Sequence, residues 1–216
     1  NPRGAAYARV GRYSEALSDF NRALQLDSGY APAYTNRALA YRQTNRNEQA
    51  LADFSRAIQA DPNYGPAYIG RGNLLRAQGD FGGALSDLTV AIRLTPESAE
   101  ALHARGLLSQ RQGQHRQAIQ DFDAAIDRNP FVAPPYAARG QSYVATGENE
   151  KAIEDFNAAL NVNNRDAESW AWRGIALERL GRRPDANESF QRAISIDPNN
   201  QTARQAMGRG GGLFRS

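Results

Sequence analysis

Along 46–60, Ala50, Phe54, Ala57 and Ile58 fall at i, i+4, i+7 and i+8, the single apolar stripe of an amphipathic helix. Along 65–78, Tyr68, Gly72 and Leu75 make a second stripe, with Pro66 in the first turn, where a missing N–H costs little. Between the two stripes lies Asp61-Pro62-Asn63, which is turn chemistry, because proline fixes its own φ and disfavours helical geometry in the residue before it. Gly79 closes the second stripe, as expected of a helix end that requires positive φ. The pattern predicts two antiparallel helices joined by short turns.

The same pattern then returns. Pro62, Pro96, Pro130, Asn164 and Pro198 stand 34 residues apart. So do Ala16, Ala50, Ala84, Ala118, Ala152 and Ala186, and four residues on, Phe20, Phe54, Leu88, Phe122, Phe156 and Phe190. Gly11, Gly79, Gly113, Gly147 and Gly181 end one helix in each copy, with Asn45 in the remaining one. Gly4, Ala38, Gly72, Gly106, Gly140 and Gly174 form a column of small residues that lets paired helices approach closely. A fixed period of this size is the signature of a solenoid. The expected fold is all-α, an α-solenoid of stacked antiparallel helix pairs.

These columns resemble the tetratricopeptide repeat. The resemblance covers five full repeats, 31–64, 65–98, 99–132, 133–166 and 167–200, and a truncated first one, 1–30. Tyr34, Tyr68, Leu102, Tyr136 and Trp170 open the full repeats; the first lacks this residue, so its first helix is expected to be short. A capping helix over 201–208 and a flexible glycine-rich tail over 209–216 complete the expected organisation, with 1–208 as one array.

One column departs from the commonest family pattern. Where a large apolar residue usually stands, this chain has Arg3, Arg37, Arg71, Arg105, Arg139 and Arg173. Sixteen residues later come Asp19, Asp53, Asp87, Asp121, Asp155 and finally Ser189. A ribbon of arginines for an anionic partner would not need an aspartate behind each one, so a structural ion pair within each repeat is the expected reading.

Composition narrows the chemistry. There is no cysteine, which excludes disulfides, thiolate metal sites and a cysteine nucleophile. The two histidines, His103 and His115, have no carboxylates at metal-ligand spacing, and His115 stands where other repeats carry Tyr13 or Phe81. The glycine-rich stretches 79–84 and 208–212 lack the strand-then-helix setting of a phosphate cradle. No nucleophile elbow or kinase loop occurs, so neither catalysis nor a cofactor nor a metal is expected. The net charge is +3 and the basic residues are interspersed with acidic ones, which argues against a nucleic-acid track. Lys151 is the only lysine, and this arginine bias reads as a GC-rich, bacterial coding sequence. No apolar run is long enough to span a membrane, and the expectation is a soluble protein of unassigned compartment. The chain begins at Asn1 rather than Met, which leaves room for a leader or an earlier segment.

The architecture can bind. The resemblance implies that the first helix of each pair lines a concave groove, with Thr35, Asn36, Leu39, Arg42, Ile69, Asn73, Arg76, His103, Leu107, Gln110, Gln141, Val144 and Ile175 facing the partner. These positions differ from repeat to repeat, as recognition of an irregular partner would demand and as unconstrained surface would also allow. Arg42 and Arg76 suit an acidic group, whereas Ala137, Val144, Ala171 and Ile175 are apolar. The expected function is a non-enzymatic scaffold holding a partner protein or peptide with an acidic segment. The alternative is self-association into a homo-oligomer through an apolar face around Ala5, Ala6 and Tyr7 in the truncated repeat. RNA binding, or service as the recruitment arm of a larger enzyme, ranks behind both.

Overall fold

The computed structural model describes residues 2–211. Among them are thirteen helices and no strand: α1 (Pro2–Arg9), α2 (Tyr13–Leu26), α3 (Ala31–Gln43), α4 (Asn47–Ala60), α5 (Gly65–Gln78), α6 (Phe81–Leu94), α7 (Ala99–Arg111), α8 (His115–Arg128), α9 (Ala133–Thr146), α10 (Asn149–Val162), α11 (Ala167–Arg179), α12 (Arg183–Ile196) and α13 (Gln201–Gly211). Helix α1 has 8 residues, against 13 in α3. Helix α13 continues to Gly211, past the expected end at 208, so 209–211 are helical rather than tail. Residues 212–216 of the expected tail lie outside the described residues.

The chain divides into two compact units, Asn1–Leu108 and Ser109–Ser216. In the N-terminal unit each of α1 to α6 packs on its neighbours in sequence, and α3 also touches α5. In the C-terminal unit α8 to α13 do the same, and α9 touches α11 while α11 touches α13. Odd-numbered helices thus stand side by side within a unit.

The turns follow from local chemistry. The Asn63 N–H donates to Asp61 Oδ1 (2.9 Å) and the Tyr64 N–H to Asp61 O (3.1 Å), so the aspartate closes the turn with side chain and backbone together. The Tyr68 hydroxyl then donates to Pro62 O (3.1 Å), and Tyr136 repeats the bond to Pro130 O (3.3 Å). In the last full repeat the Trp170 indole N–H takes the same place on Asn164 O (3.0 Å). At the other end of the hairpin, Gly79 adopts φ 87°, and Asn45, at φ 59°, is the non-glycine residue that takes this role.

Each pair is held by an aromatic or aliphatic plug against a small residue. Phe20, Phe54, Leu88, Phe156 and Phe190 are completely or almost completely buried. A Cβ added to Gly174 would lie 2.5 Å from Phe190 Cε1, and one added to Gly140 2.9 Å from Phe156 Cε1, so at these two positions a methyl would force the ring to move. Burying a phenylalanine completely contributes about 2 kcal/mol.

The arginine and aspartate columns meet at Arg3, Arg37, Arg71 and Arg139. Arg37 Nε and Nη2 donate to Asp53 at 2.5 and 2.8 Å, Arg71 to Asp87 at 2.7 and 2.8 Å, and Arg139 to Asp155 at 2.8 and 2.6 Å. Arg3 makes the same fork to Asp19. A third arm reaches backward: Nη1 of Arg37, Arg71 and Arg139 donates to Asn21 (2.6 Å), Ser55 (3.2 Å) and Asp123 (2.6 Å) on the second helix of the preceding repeat. Each of these guanidiniums therefore joins two repeats as well as two helices. Arg173 differs. Lacking an aspartate, it turns Nη1 to Ser189 Oγ (2.6 Å) and Nε to Asn157 Oδ1 (2.7 Å).

Candidate functional site

Odd-numbered helices line an open depression in each unit. In the N-terminal unit it has a volume of about 440 Å³ and is lined by Arg42 of α3, Asn73, Arg76 and Ala77 of α5, and Glu100, His103, Ala104 and Leu107 of α7. The spacing i, i+3, i+4 on α5 and i, i+3, i+4, i+7 on α7 puts each set on one helix face. Among the described residues, neither the Arg42 guanidinium nor the Asn73 carboxamide has a protein hydrogen-bond partner. Burial, reinforced by the nearby charge of Arg76, pushes the His103 imidazole down to about 4, so it is neutral at pH 7. Glu100 is exposed and is the single acid lining a depression that also carries two arginines.

In the C-terminal unit the depression is about 230 Å³ and is lined by Gln110, His115, Gln141, Val144, Ala145, Trp172 and Arg179. Gln110 is committed to the protein: its Nε2 donates to Ala138 O (2.9 Å) and Ser142 Oγ (3.0 Å). Arg179 Nη1 donates to the Val144 carbonyl. His115 stands at the first position of α8, half-buried, with its Nδ1 shielded and unbonded.

The sequence assigned five of the residues that meet in the first depression (Arg42, Asn73, Arg76, His103 and Leu107), and Gln110, Gln141 and Val144 in the second. Three of the assigned residues are buried. Thr35 and Ile69 are each 4% exposed although they share a column with His103, and Ile69 packs with Ala101, Ala104 and Leu108 of α7. Val144, 1% exposed, forms floor rather than an available contact. Leu39 packs beside Phe54, and Ile175 beside Phe156 and Phe190, both half-buried; Asn36 is half-buried on α3. Glu100, Trp172 and Arg179 were missed. Trp172 carried a signal: its column otherwise holds Asn36, Gly70, Ala104 and Ala138, all small.

Among the described residues no group of three His, Cys, Asp or Glu side chains is placed to hold a metal ion, and no helix is long and apolar enough to cross a membrane.

The tetratricopeptide repeat profile matches residues 3–30, 31–64, 69–133 and 137–201, and the chain belongs to this family. Its fold is the α-solenoid of stacked antiparallel helix pairs that such repeats build. No curated protein sequence matches it. Among solved structures it is similar to YrrB, described as a tetratricopeptide repeat protein with an unusual peptide-binding site, at 23% identity over 88% of this chain and 97% of that one (TM-score 0.66). It is similar to PilF of Pseudomonas aeruginosa at 17% identity over 96% and 95% (TM-score 0.84). It also resembles the Cut9–Hcn1 assembly at 20% identity over 95% of this chain and 41% of that one (TM-score 0.88).

Proposed function

We propose that the chain is a protein-interaction scaffold whose N-terminal unit receives an acidic side chain of a partner polypeptide between α3, α5 and α7. One observation carries the reading: Arg42 presents a guanidinium with no protein acceptor in a depression that also holds Arg76 and a neutral His103. A carboxylate entering there finds charge-assisted donors, and the Asn73 carboxamide can bond a peptide group beside it. Glu100, in the same lining, favours an N–H donor of the guest beside it. Tetratricopeptide repeats act generally as protein–protein interaction scaffolds, which agrees with this reading. The peptide-binding site of YrrB is a property of that protein, and it supports only the general mode.

The test is fluorescence anisotropy with a library of labelled peptides that differ in acidic content. Acidic peptides should bind with an affinity that falls with salt, and Arg42→Ala should weaken them about tenfold with an unchanged melting temperature. Equal binding of acidic and basic peptides, or an Arg42→Ala protein that binds as well as the parent, would refute the reading.

A further inference from the structure

We infer that the depression of the C-terminal unit is a receptor for one aromatic side chain of a partner polypeptide, carried next to an acidic residue. The inference rests on the reading that these faces receive polypeptide, but on a different set of residues.

Trp172 is the reason for the aromatic guest. It is the one large ring in a column of small side chains, so packing alone does not call for it. Its orientation is fixed from behind. The indole N–H donates to Glu168 Oε1 (2.8 Å), which also accepts from Thr202 Oγ1 (3.0 Å), while Glu168 Oε2 accepts from Asn200 Nδ2 (2.9 Å). The ring itself rests against the cluster of Val144, Ala152, Phe156 and Ala176. An anchored indole with one face toward an open cavity loses little freedom when a second ring stacks on it. The volume agrees, since about 230 Å³ exceeds the roughly 150 Å³ of a cavity that accepts benzene.

Arg179 is the reason for the acidic neighbour. Its Nη1 is held on the Val144 carbonyl, which positions the side chain at the depression, and its other N–H groups have no acceptor among the described residues. A carboxylate adjacent to the guest ring would bond them, whereas a basic neighbour would be repelled. Gln141, whose carboxamide makes no protein hydrogen bond among the described residues, lines the same cavity and can bond the guest's backbone.

The experiment uses the full chain with Trp170→Tyr, the residue found in that column at Tyr34, Tyr68 and Tyr136, so that Trp172 is the only tryptophan. Its indole N–H resonance is followed while acetyl-Phe-Asp-amide, acetyl-Phe-Lys-amide, acetyl-Ala-Asp-amide and adenosine are titrated in. A saturable shift is expected with Phe-Asp, at least fivefold weaker binding with Phe-Lys, and no shift with Ala-Asp or adenosine. Arg179→Gln should abolish the preference for Phe-Asp over Phe-Lys while leaving Phe-Lys unchanged. A Trp172 signal that stays still with Phe-Asp, or moves alike with all four probes, overturns the inference. Arg42→Ala should not alter this titration. If acidic peptides still bind through Arg42 while Trp172 is silent, the aromatic receptor alone is wrong. If Trp172 responds as expected while Arg42→Ala leaves acidic peptides unaffected, the acidic pocket alone is wrong.

Discussion

Nε and Nη2 of Arg139 hold the two oxygens of Asp155 at 2.8 and 2.6 Å, an in-plane fork between α9 and α10. The carboxylate side chain is only 6% exposed and the arginine 19%. Burial works against the arginine's charge, but its bonds to Asp155 and Asp123 outweigh this and raise its pKa further above the ordinary arginine value. A buried carboxylate left without its cation is costly, and this decides what the ladder is for.

Arg71→Ala strands Asp87, which is 8% exposed, and should destabilise the protein by about 3 kcal/mol in urea denaturation. The double variant Arg71→Met with Asp87→Leu should recover most of that loss, because no charge is then left buried. An Arg71→Ala protein with the parent's stability would count against a structural ladder.

Ser189→Asp should stabilise. Arg173 sits in the ladder without a bonded carboxylate, and burial lowers its pKa. Restoring the aspartate of the other repeats should add about 1.5 kcal/mol and raise the melting temperature by a few degrees. Calorimetry showing no rise would mean that Ser189 and Asn157 already satisfy the guanidinium.

His103 makes stability depend on pH with a defined sign. Its folded pKa is about 4 against an ordinary 6.5, so its contribution is fully present above pH 6.5. That contribution shrinks as pH falls and is gone below about pH 4, a swing of up to about 3 kcal/mol. The charged groups lining its depression are Arg42, Arg76 and Glu100. Denaturation of wild type and His103→Asn between pH 7 and pH 4 should diverge over that window; parallel curves would contradict it.

Two glycines should respond oppositely to alanine. Gly174→Ala drives a methyl into the Phe190 ring and should cost about 2 kcal/mol. Gly208→Ala, inside α13 with nothing within 4 Å of the new Cβ, should gain about 1 kcal/mol from helix propensity alone. Thermal unfolding of the two variants reads both signs.

The fold was legible because packing writes the same residues at the same interval. Phe54 and Phe156 occupy equivalent sockets, and any one repeat predicts the rest. The open faces were less legible. Thr35, Ile69 and His103 share a column, yet Thr35 and Ile69 are buried while His103 lines an open depression, so a shared column does not set exposure. Trp172 escaped for the opposite reason: it is an exception within its column, and attention to recurrence passes over exceptions. The backward arm of each ladder arginine also went unseen, since its acceptors, Asn21, Ser55, Asp123 and Asn157, share polarity but not identity.

Those unlike acceptors grade the stiffness of the seams between repeats. Where Arg139 finds an anionic Asp123 at 2.6 Å, the joint resists shear; where Arg71 has only the Ser55 hydroxyl at 3.2 Å, it yields more readily. Amide exchange should accordingly be faster at the α4–α5 junction than at α8–α9. Near-identical repeats would thereby acquire joints of different compliance through single polar substitutions, with their plugs of phenylalanine untouched.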